Sequence, residues 1–128
     1  MFENLDIFRM SASLAQHAGL RQAVVSQNVA NADTPGYVAR GVPDFAAVFE
    51  GAGTGGTVQR ATRPGHLHGQ REAGETPIID MKGEASPNGN QVSVENEILQ
   101  SVNAKRDHDR ALAIYKSGLT VLRSTLRT

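Results

Sequence analysis

The sequence contains no cysteine, which excludes disulfides, thiolate metal centres and cysteine nucleophiles together. Tryptophan is also absent, and four phenylalanines with two tyrosines are too few to build a large aromatic core. Neither sign of charge is in excess, because thirteen Lys and Arg balance thirteen Asp and Glu. No long-range field therefore draws the chain onto a nucleic-acid backbone or an anionic membrane. Apolar runs stop after a few residues, far short of the roughly 20 that cross a bilayer, so no direct membrane insertion is expected. The opening Met1-Phe2-Glu3-Asn4-Leu5-Asp6 carries acids and lacks the basic stretch, apolar stretch and small-residue site of a cleaved secretory signal. The expectation is a chain that stays in the cytoplasm or leaves by a route without a cleaved signal. Its 128 residues leave room for one domain with a modest core.

Proline and glycine are scarce at the two ends. All five prolines and eleven of the thirteen glycines lie between Pro35 and Gly89, so two helix-permissive ends flank a helix-hostile middle. From about Leu5 to Asn31 the apolar residues Ile7, Leu14, Ala18, Val25 and Val29 recur at intervals of seven, four, seven and four. That spacing predicts one apolar stripe on a helix of roughly 40 Å. Met10 and Ala32 edge the stripe, and Ala12, Ala23 and Ala30 line a second, small-residue face. Two such faces suit a helix with neighbours on both sides.

The second helix is expected from Ser93, whose hydroxyl suits an N-cap, with Glu95 and Glu97 near the positive end of the dipole. Val94, Ile98 and Val102 carry its first stripe, and Leu112, Tyr115, Leu119, Leu122 and Leu126 alternate at three and four, a heptad seam. The charged run from Lys105 to Arg110 interrupts it. Such a helix spans about 50 Å, more than one small domain needs, and the excess length implies partners.

The chain therefore divides into an N-terminal helix over 1–34, an irregular middle over 35–92 and a C-terminal helix over 93–128. The fold expected is mainly α, with the long terminal helices packed as a coiled-coil-like pair and short β segments or a hairpin in the Gly/Pro-rich middle. Within that middle, Asp44 caps a short helix over 44–50, and Gly51 to Gly56 reads as a flexible loop. Thr57-Val58-Gln59 and Pro77-Ile78-Ile79 are candidate strands. Ser86-Pro87-Asn88-Gly89-Asn90 is turn chemistry before an extended Gln91-Val92.

Catalytic chemistry finds little support. His66 and His68 share one face of an extended segment, but no cysteine joins them and the nearest acids, Glu72 and Glu75, follow in a glycine-rich stretch, which favours a polar exposed loop over a metal site. His108 lies between Asp107 and Asp109, yet adjacent helical positions diverge by about 100° and form no relay. The Gly51–Gly56 stretch lacks the Gly-Lys-Ser/Thr ending of a phosphate loop. No catalytic, cofactor or metal site and no small-molecule substrate are expected.

The most informative segment is Asn28-Val29-Ala30-Asn31-Ala32-Asp33-Thr34-Pro35-Gly36-Tyr37. Asn31 tolerates the left-handed conformation that ends helices, Thr34 is pushed extended by the following proline, and Pro35-Gly36 fits the centre of a type II turn. On geometry alone this is a helix stop and turn. As a string it resembles the N-terminal signature of the flagellar rod and hook axial proteins. The resemblance extends over the chain through Met1-Phe2-Glu3-Asn4-Leu5-Asp6-Ile7, through Pro87-Asn88-Gly89-Asn90 followed by Val92-Ser93-Val94-Glu95, and through the leucine-rich last helix. The shortness fits proximal rod members rather than distal rod or hook relatives. The Asn4-Leu5-Asp6 opening and the direct Asp33-Thr34-Pro35-Gly36-Tyr37 are more similar to the B-type than to the C-type proximal rod class of similar length.

The resemblance implies a self-assembling subunit whose terminal helices pack beside those of other copies and other rod proteins. It further implies a type III export substrate of the bacterial flagellum, assembled in the periplasm near the export gate and the inner-membrane ring with its adaptor proteins. Ile7, Leu14, Ala18, Val25, Val29, Ile98, Val102, Leu112, Tyr115, Leu119, Leu122 and Leu126 are the expected packing residues, within and between subunits. Asn28, Asn31, Thr34, Pro35, Gly36 and Tyr37 are expected to shape the junction. Phe45 and Phe49, four apart, resemble the Phe-x-x-x-Phe element recognised at the export gate. They equally suit an anchor for the short helix on its own subunit. The competing readings are a soluble helical adaptor or export chaperone, which would satisfy its seams internally, and a small hydrolase or metal enzyme, which would need a pocket with converging ligands.

Overall fold

The computed structural model describes residues 2–53 and 76–126. The candidate strand at 57–59, the stretch 54–56, the histidines at 66 and 68 and the acids at 72 and 75 lie outside the described residues. Helix α1 spans Phe2–Ala30, strand β1 Arg40–Gly41, helix α2 Phe45–Gly53, strand β2 Ile79–Asp80 and helix α3 Val94–Leu126. The fold is mainly helical, two long terminal helices packed together with a two-stranded antiparallel sheet between them in sequence.

Helices α1 and α3 form an antiparallel hairpin. Gln22 Nε2 donates to Ser101 Oγ at 3.0 Å near one end, and the Phe8 and Tyr115 rings meet edge to face at 5.1 Å near the other. That register brings the Ser11 turn opposite the Ala111 turn and the Ala18 turn opposite the Ala104 turn. Ser11, Ala18 and Val25 on α1 and Ala104 and Ala111 on α3 are all buried, each seven positions from the next. Small side chains on both helices let the backbones approach closely, while the seven-residue spacing keeps the seam on one face. The Ser11 hydroxyl is satisfied within its own helix by the Phe8 carbonyl at 3.0 Å, so its burial leaves no orphan. At 118 a glycine faces the Phe8 ring, where a Cβ would lie 3.0 Å from ring carbon Cζ.

The charged stretch of α3 is used across the hairpin. Arg21 donates to the Gln100 side-chain oxygen and lies 3.8 Å from Asp107, which also meets Arg110 at 3.6 Å. Ser93 caps α3 as expected: its hydroxyl accepts from Asn96 N–H at 3.5 Å and its carbonyl from Glu97 N–H at 3.0 Å.

The middle corrects two details. The short helix starts after Asp44, whose carbonyl accepts from Val48 N–H at 3.2 Å, but it continues to Gly53 rather than giving way to a loop at Gly51. The candidate strand at 77–79 shifts onto Ile79–Asp80 and pairs antiparallel with β1, Arg40 opposite Asp80 and Gly41 opposite Ile79. Met81 N–H extends the pairing to the Ala39 carbonyl at 2.7 Å. The Met81 side chain occupies the space beside Gly41, 2.6 Å from where a Cβ would stand.

Candidate functional site

No enzymatic constellation forms among the described residues. No group of three His, Cys, Asp or Glu could hold a metal ion there, and no described helix is long and apolar enough to cross a membrane. An open groove of roughly 700 Å³ between the strand pair and the start of α3 is lined by charges of both signs, including Arg21, Lys82, Glu84 and Glu97. It contains no histidine, and the one hydroxyl on its lining, Ser93, caps α3. The features with functional shape are the junction after α1 and the apolar faces of the hairpin.

The junction begins where α1 tightens. Asn31 N–H is shared between the Gln27 carbonyl at 3.2 Å and the Asn28 carbonyl at 3.0 Å, and Ala32 and Thr34 continue with bonds to Val29 and Asn31. Such three-residue closures satisfy carbonyls that the ending helix would orphan. Thr34-Pro35-Gly36-Tyr37 then forms the expected type II turn, with Tyr37 N–H on the Thr34 carbonyl at 3.3 Å and Gly36 at φ +70°. The asparagine side chain at 31 donates to the Gln27 carbonyl at 2.8 Å and accepts from the Thr34 hydroxyl at 3.3 Å.

Two buried asparagines fasten this turn to the rest of the chain. Asn28 is fully buried and pairs with the backbone of Arg40: its Nδ2 donates to the Arg40 carbonyl at 2.7 Å, and its Oδ1 accepts from Arg40 N–H at 3.0 Å. The Tyr37 hydroxyl donates to the same Oδ1 at 3.4 Å. A primary amide supplies one donor and one acceptor in the geometry of a peptide, which neither an ionised carboxylate nor an aliphatic side chain can do. Asn90, 2% exposed, donates to the Asn31 carbonyl at 2.9 Å and the Thr34 carbonyl at 2.7 Å, while its Oδ1 accepts from Val92 N–H at 2.7 Å. Gly36 N–H reaches the Asn88 carbonyl at 3.2 Å, and Gln91 N–H reaches the Tyr37 carbonyl at 3.0 Å. The signature turn is thus docked on the segment that leads into α3.

The structure divides the expected packing residues into three groups. Ala18 and Val25 are buried in the hairpin. Leu14, Leu119 and Leu122 are half-buried at its edges. Ile7, Val29, Ile98, Val102, Leu112, Tyr115 and Leu126 are exposed, from 40% for Ile7 to 82% for Leu126. Leu99 and Val121 add to the apolar surface of α3 at 62% and 52%. Phe45 and Phe49 stack on each other at 5.4 Å, and Phe45 meets the His17 ring edge to face at 5.6 Å. His17 is buried and its Nε2 donates to the Pro43 carbonyl at 2.7 Å, so α2 is held against α1.

Sequence reasoning read Pro87-Asn88-Gly89-Asn90 as turn chemistry and assigned Asn90 no role of its own. Asparagine is ordinarily an exposed turn residue, so nothing local marks one that is buried. His17 belongs to no sequence motif, and its partner is the Pro43 carbonyl, twenty-six residues on.

Comparison with known proteins gives a consistent picture. The family model described as flagella basal body rod protein matches residues 9–37, the stretch from the first turns of α1 to the end of the signature turn. The flagellar basal body rod protein FlgB of Salmonella typhimurium is 35% identical over 117 residues, covering 84% of this chain and 78% of that one. FlgB of Agrobacterium fabrum is 29% identical over 119 residues, covering 88% and 87%.

Proposed function

Because the chain belongs to the FlgB family of flagellar basal body rod proteins, we propose that its hairpin is one half-finished layer of a helical wall, completed by the hairpins of neighbouring rod subunits. The protein is a structural subunit of the flagellar basal body rod, assembles with other rod subunits and is not an enzyme. In this reading it occupies the proximal segment of the rod, with the inner-membrane ring and export gate on one side and the distal rod on the other. Phe45 and Phe49 are offered for recognition by the export gate before α2 settles on α1.

One observation carries the assembly reading. The buried seam of the hairpin is mostly small, Ser11, Ala18, Ala104 and Ala111 with Val25, while Ile98, Leu99, Val102, Leu112, Val121 and Leu126 of α3 remain exposed. Burying a side chain of valine, leucine or isoleucine fully is worth about 1.5 to 3 kcal/mol, so a row of them left outside is a strong drive towards association. A helical adaptor or chaperone would instead turn its large residues into its own seam.

Ile98 separates the readings, being 56% exposed in the subunit. Ile98→Asp, supplied as the sole copy of the gene, is expected to leave helix content and urea midpoint of the purified chain within about 0.5 kcal/mol of the parent. It should nevertheless leave basal bodies without a rod in electron micrographs and cells unable to swim, because assembly would bury an unpaired carboxylate. Complete rods in that variant would remove the proposal that this face is an assembly surface.

A further inference from the structure

The loop between β2 and α3 contains an Asn-Gly pair, Asn88-Gly89, exposed to water. An asparagine followed by glycine is chemically labile, since nothing on the glycine hinders attack of its backbone nitrogen on the asparagine carboxamide. In that reaction the Gly89 nitrogen, after losing its proton to base, bonds to Asn88 Cγ. The Cγ–Nδ2 bond breaks, ammonia leaves and a cyclic imide remains. Water then opens the imide at either carbonyl to give aspartate or isoaspartate, with no oxidant, reductant or cofactor required.

Here the fold opposes each movement the reaction needs. Ser86-Pro87-Asn88-Gly89-Asn90 closes as a tight loop, with Gly89 N–H donating to the Ser86 carbonyl and Ser86 N–H to the Asn90 carbonyl, both at 2.8 Å. Gly89 takes φ +79°, a left-handed conformation that glycine adopts without a Cβ penalty. The attacking nitrogen is therefore committed to a hydrogen bond. The electrophile is committed too: Asn88 Oδ1 accepts from Asn90 N–H at 3.0 Å. The backbone of the same residue is held from the other side, its carbonyl accepting from Gly36 N–H at 3.2 Å. Buried Asn90 fastens the loop to the turn that follows α1 through the Asn31 and Thr34 carbonyls.

We propose that Asn88 is a modification site, converting to aspartate and isoaspartate, whose reaction is held off by docking of the 86–92 segment onto the signature turn. Docked subunits keep the asparagine, and subunits whose junction stays open lose it. In the isoaspartate product the main chain runs through Cβ and Cγ, which adds one backbone carbon before Gly89, and the former backbone carbonyl that faced Gly36 becomes a free, negatively charged carboxylate off the main chain. Such a chain cannot restore both contacts at once, so a subunit that has reacted is marked by a junction that no longer closes.

The test uses the full-length protein in three samples at the same mildly alkaline pH and temperature: the native chain, the native-buffer variant Asn90→Ala, and the parent chain unfolded in urea. Isoaspartate at position 88 is followed by peptide mapping and by the small mass gain of replacing an amide nitrogen by oxygen. Reaction through an opened junction scales with the open population, so the unfolded chain should react more than about ten-fold faster than the native one. Asn90→Ala should fall between them, because it frees the loop without touching the reacting pair. Equal rates in native and unfolded chains would overturn the protection. Absence of isoaspartate from all three samples would overturn the site itself.

Discussion

The hairpin and the junction hold together by opposite means. Between α1 and α3 the contact is made by Ser11, Ala18, Val25, Ala104 and Ala111, side chains that give close approach but little apolar area apiece. At the junction two buried carboxamides satisfy backbone groups on three segments. The hairpin is open to improvement by any neighbour that covers its outer aliphatic residues. The junction draws its partners from within the chain, with Gln91 Oε1 the one buried polar side-chain atom among the described residues left without a hydrogen bond. The proposed assembly uses both: a corner of fixed shape, which sets the angle at which the middle leaves the helices, and helices whose exposed faces other subunits would cover.

If that contrast is right, damage to the junction should cost far more in the isolated chain than damage to the hairpin. Asn28→Ala is the severest test. It removes the fully buried Asn28 carboxamide and leaves the Arg40 N–H and carbonyl without their partner, at about 1 to 3 kcal/mol for each polar group left unpaired out of reach of water. A loss of about 2 to 4 kcal/mol in urea unfolding is expected, with the denaturant slope unchanged. A loss below about 0.5 kcal/mol would show that water replaces the carboxamide and that the junction is not closed by it.

Gly36→Val is the next step down. The turn places this residue at φ +70° with open space around the Cβ position, so the effect isolates backbone strain from packing. A β-branched residue there should cost about 1 to 3 kcal/mol, and amide exchange of Tyr37, whose N–H closes the turn, should quicken. An unchanged exchange rate would mean the turn rearranges freely and contributes nothing to docking.

How much of this was legible beforehand follows from what sequence pattern measures. The division into two helical ends and an irregular middle was readable because proline and glycine report backbone conformation locally. The type II turn at Pro35-Gly36 was readable for the same reason. The hairpin's inner face was less so: periodicity weights large aliphatics, and it drew one stripe through Ile7, Leu14, Ala18, Val25 and Val29, whereas the fold buries Ala18 and Val25 and leaves Ile7 and Val29 in water. Val25 and Val29 are the same residue on opposite sides of that division, so the hydropathy pattern of one chain cannot separate residues buried within the subunit from those left on its surface. The asparagine clasp was hidden because its partners are backbone atoms twelve and more than fifty residues away, and backbone partners leave no trace in residue identity.

The smallest effect expected lies in the hairpin itself. Gly118 interrupts α3 where a Cβ would press on the Phe8 ring at 3.0 to 3.1 Å. Replacing a helical glycine by alanine gains about 0.8 to 1 kcal/mol of helix propensity. Against this stands the adjustment of one half-buried ring by a few tenths of an ångström, near the end of the hairpin where the next partner is Tyr115. A loosely finished seam can absorb that shift, so Gly118→Ala should change stability by less than about 1 kcal/mol, while the aromatic chemical shifts of Tyr115 move as its edge-to-face partner turns. A destabilisation of about 3 kcal/mol, the size expected of overpacking in a rigid core, would erase the contrast: the hairpin would then be as tightly specified as the junction, and the exposed aliphatics would have to be explained on a subunit already finished without its neighbours.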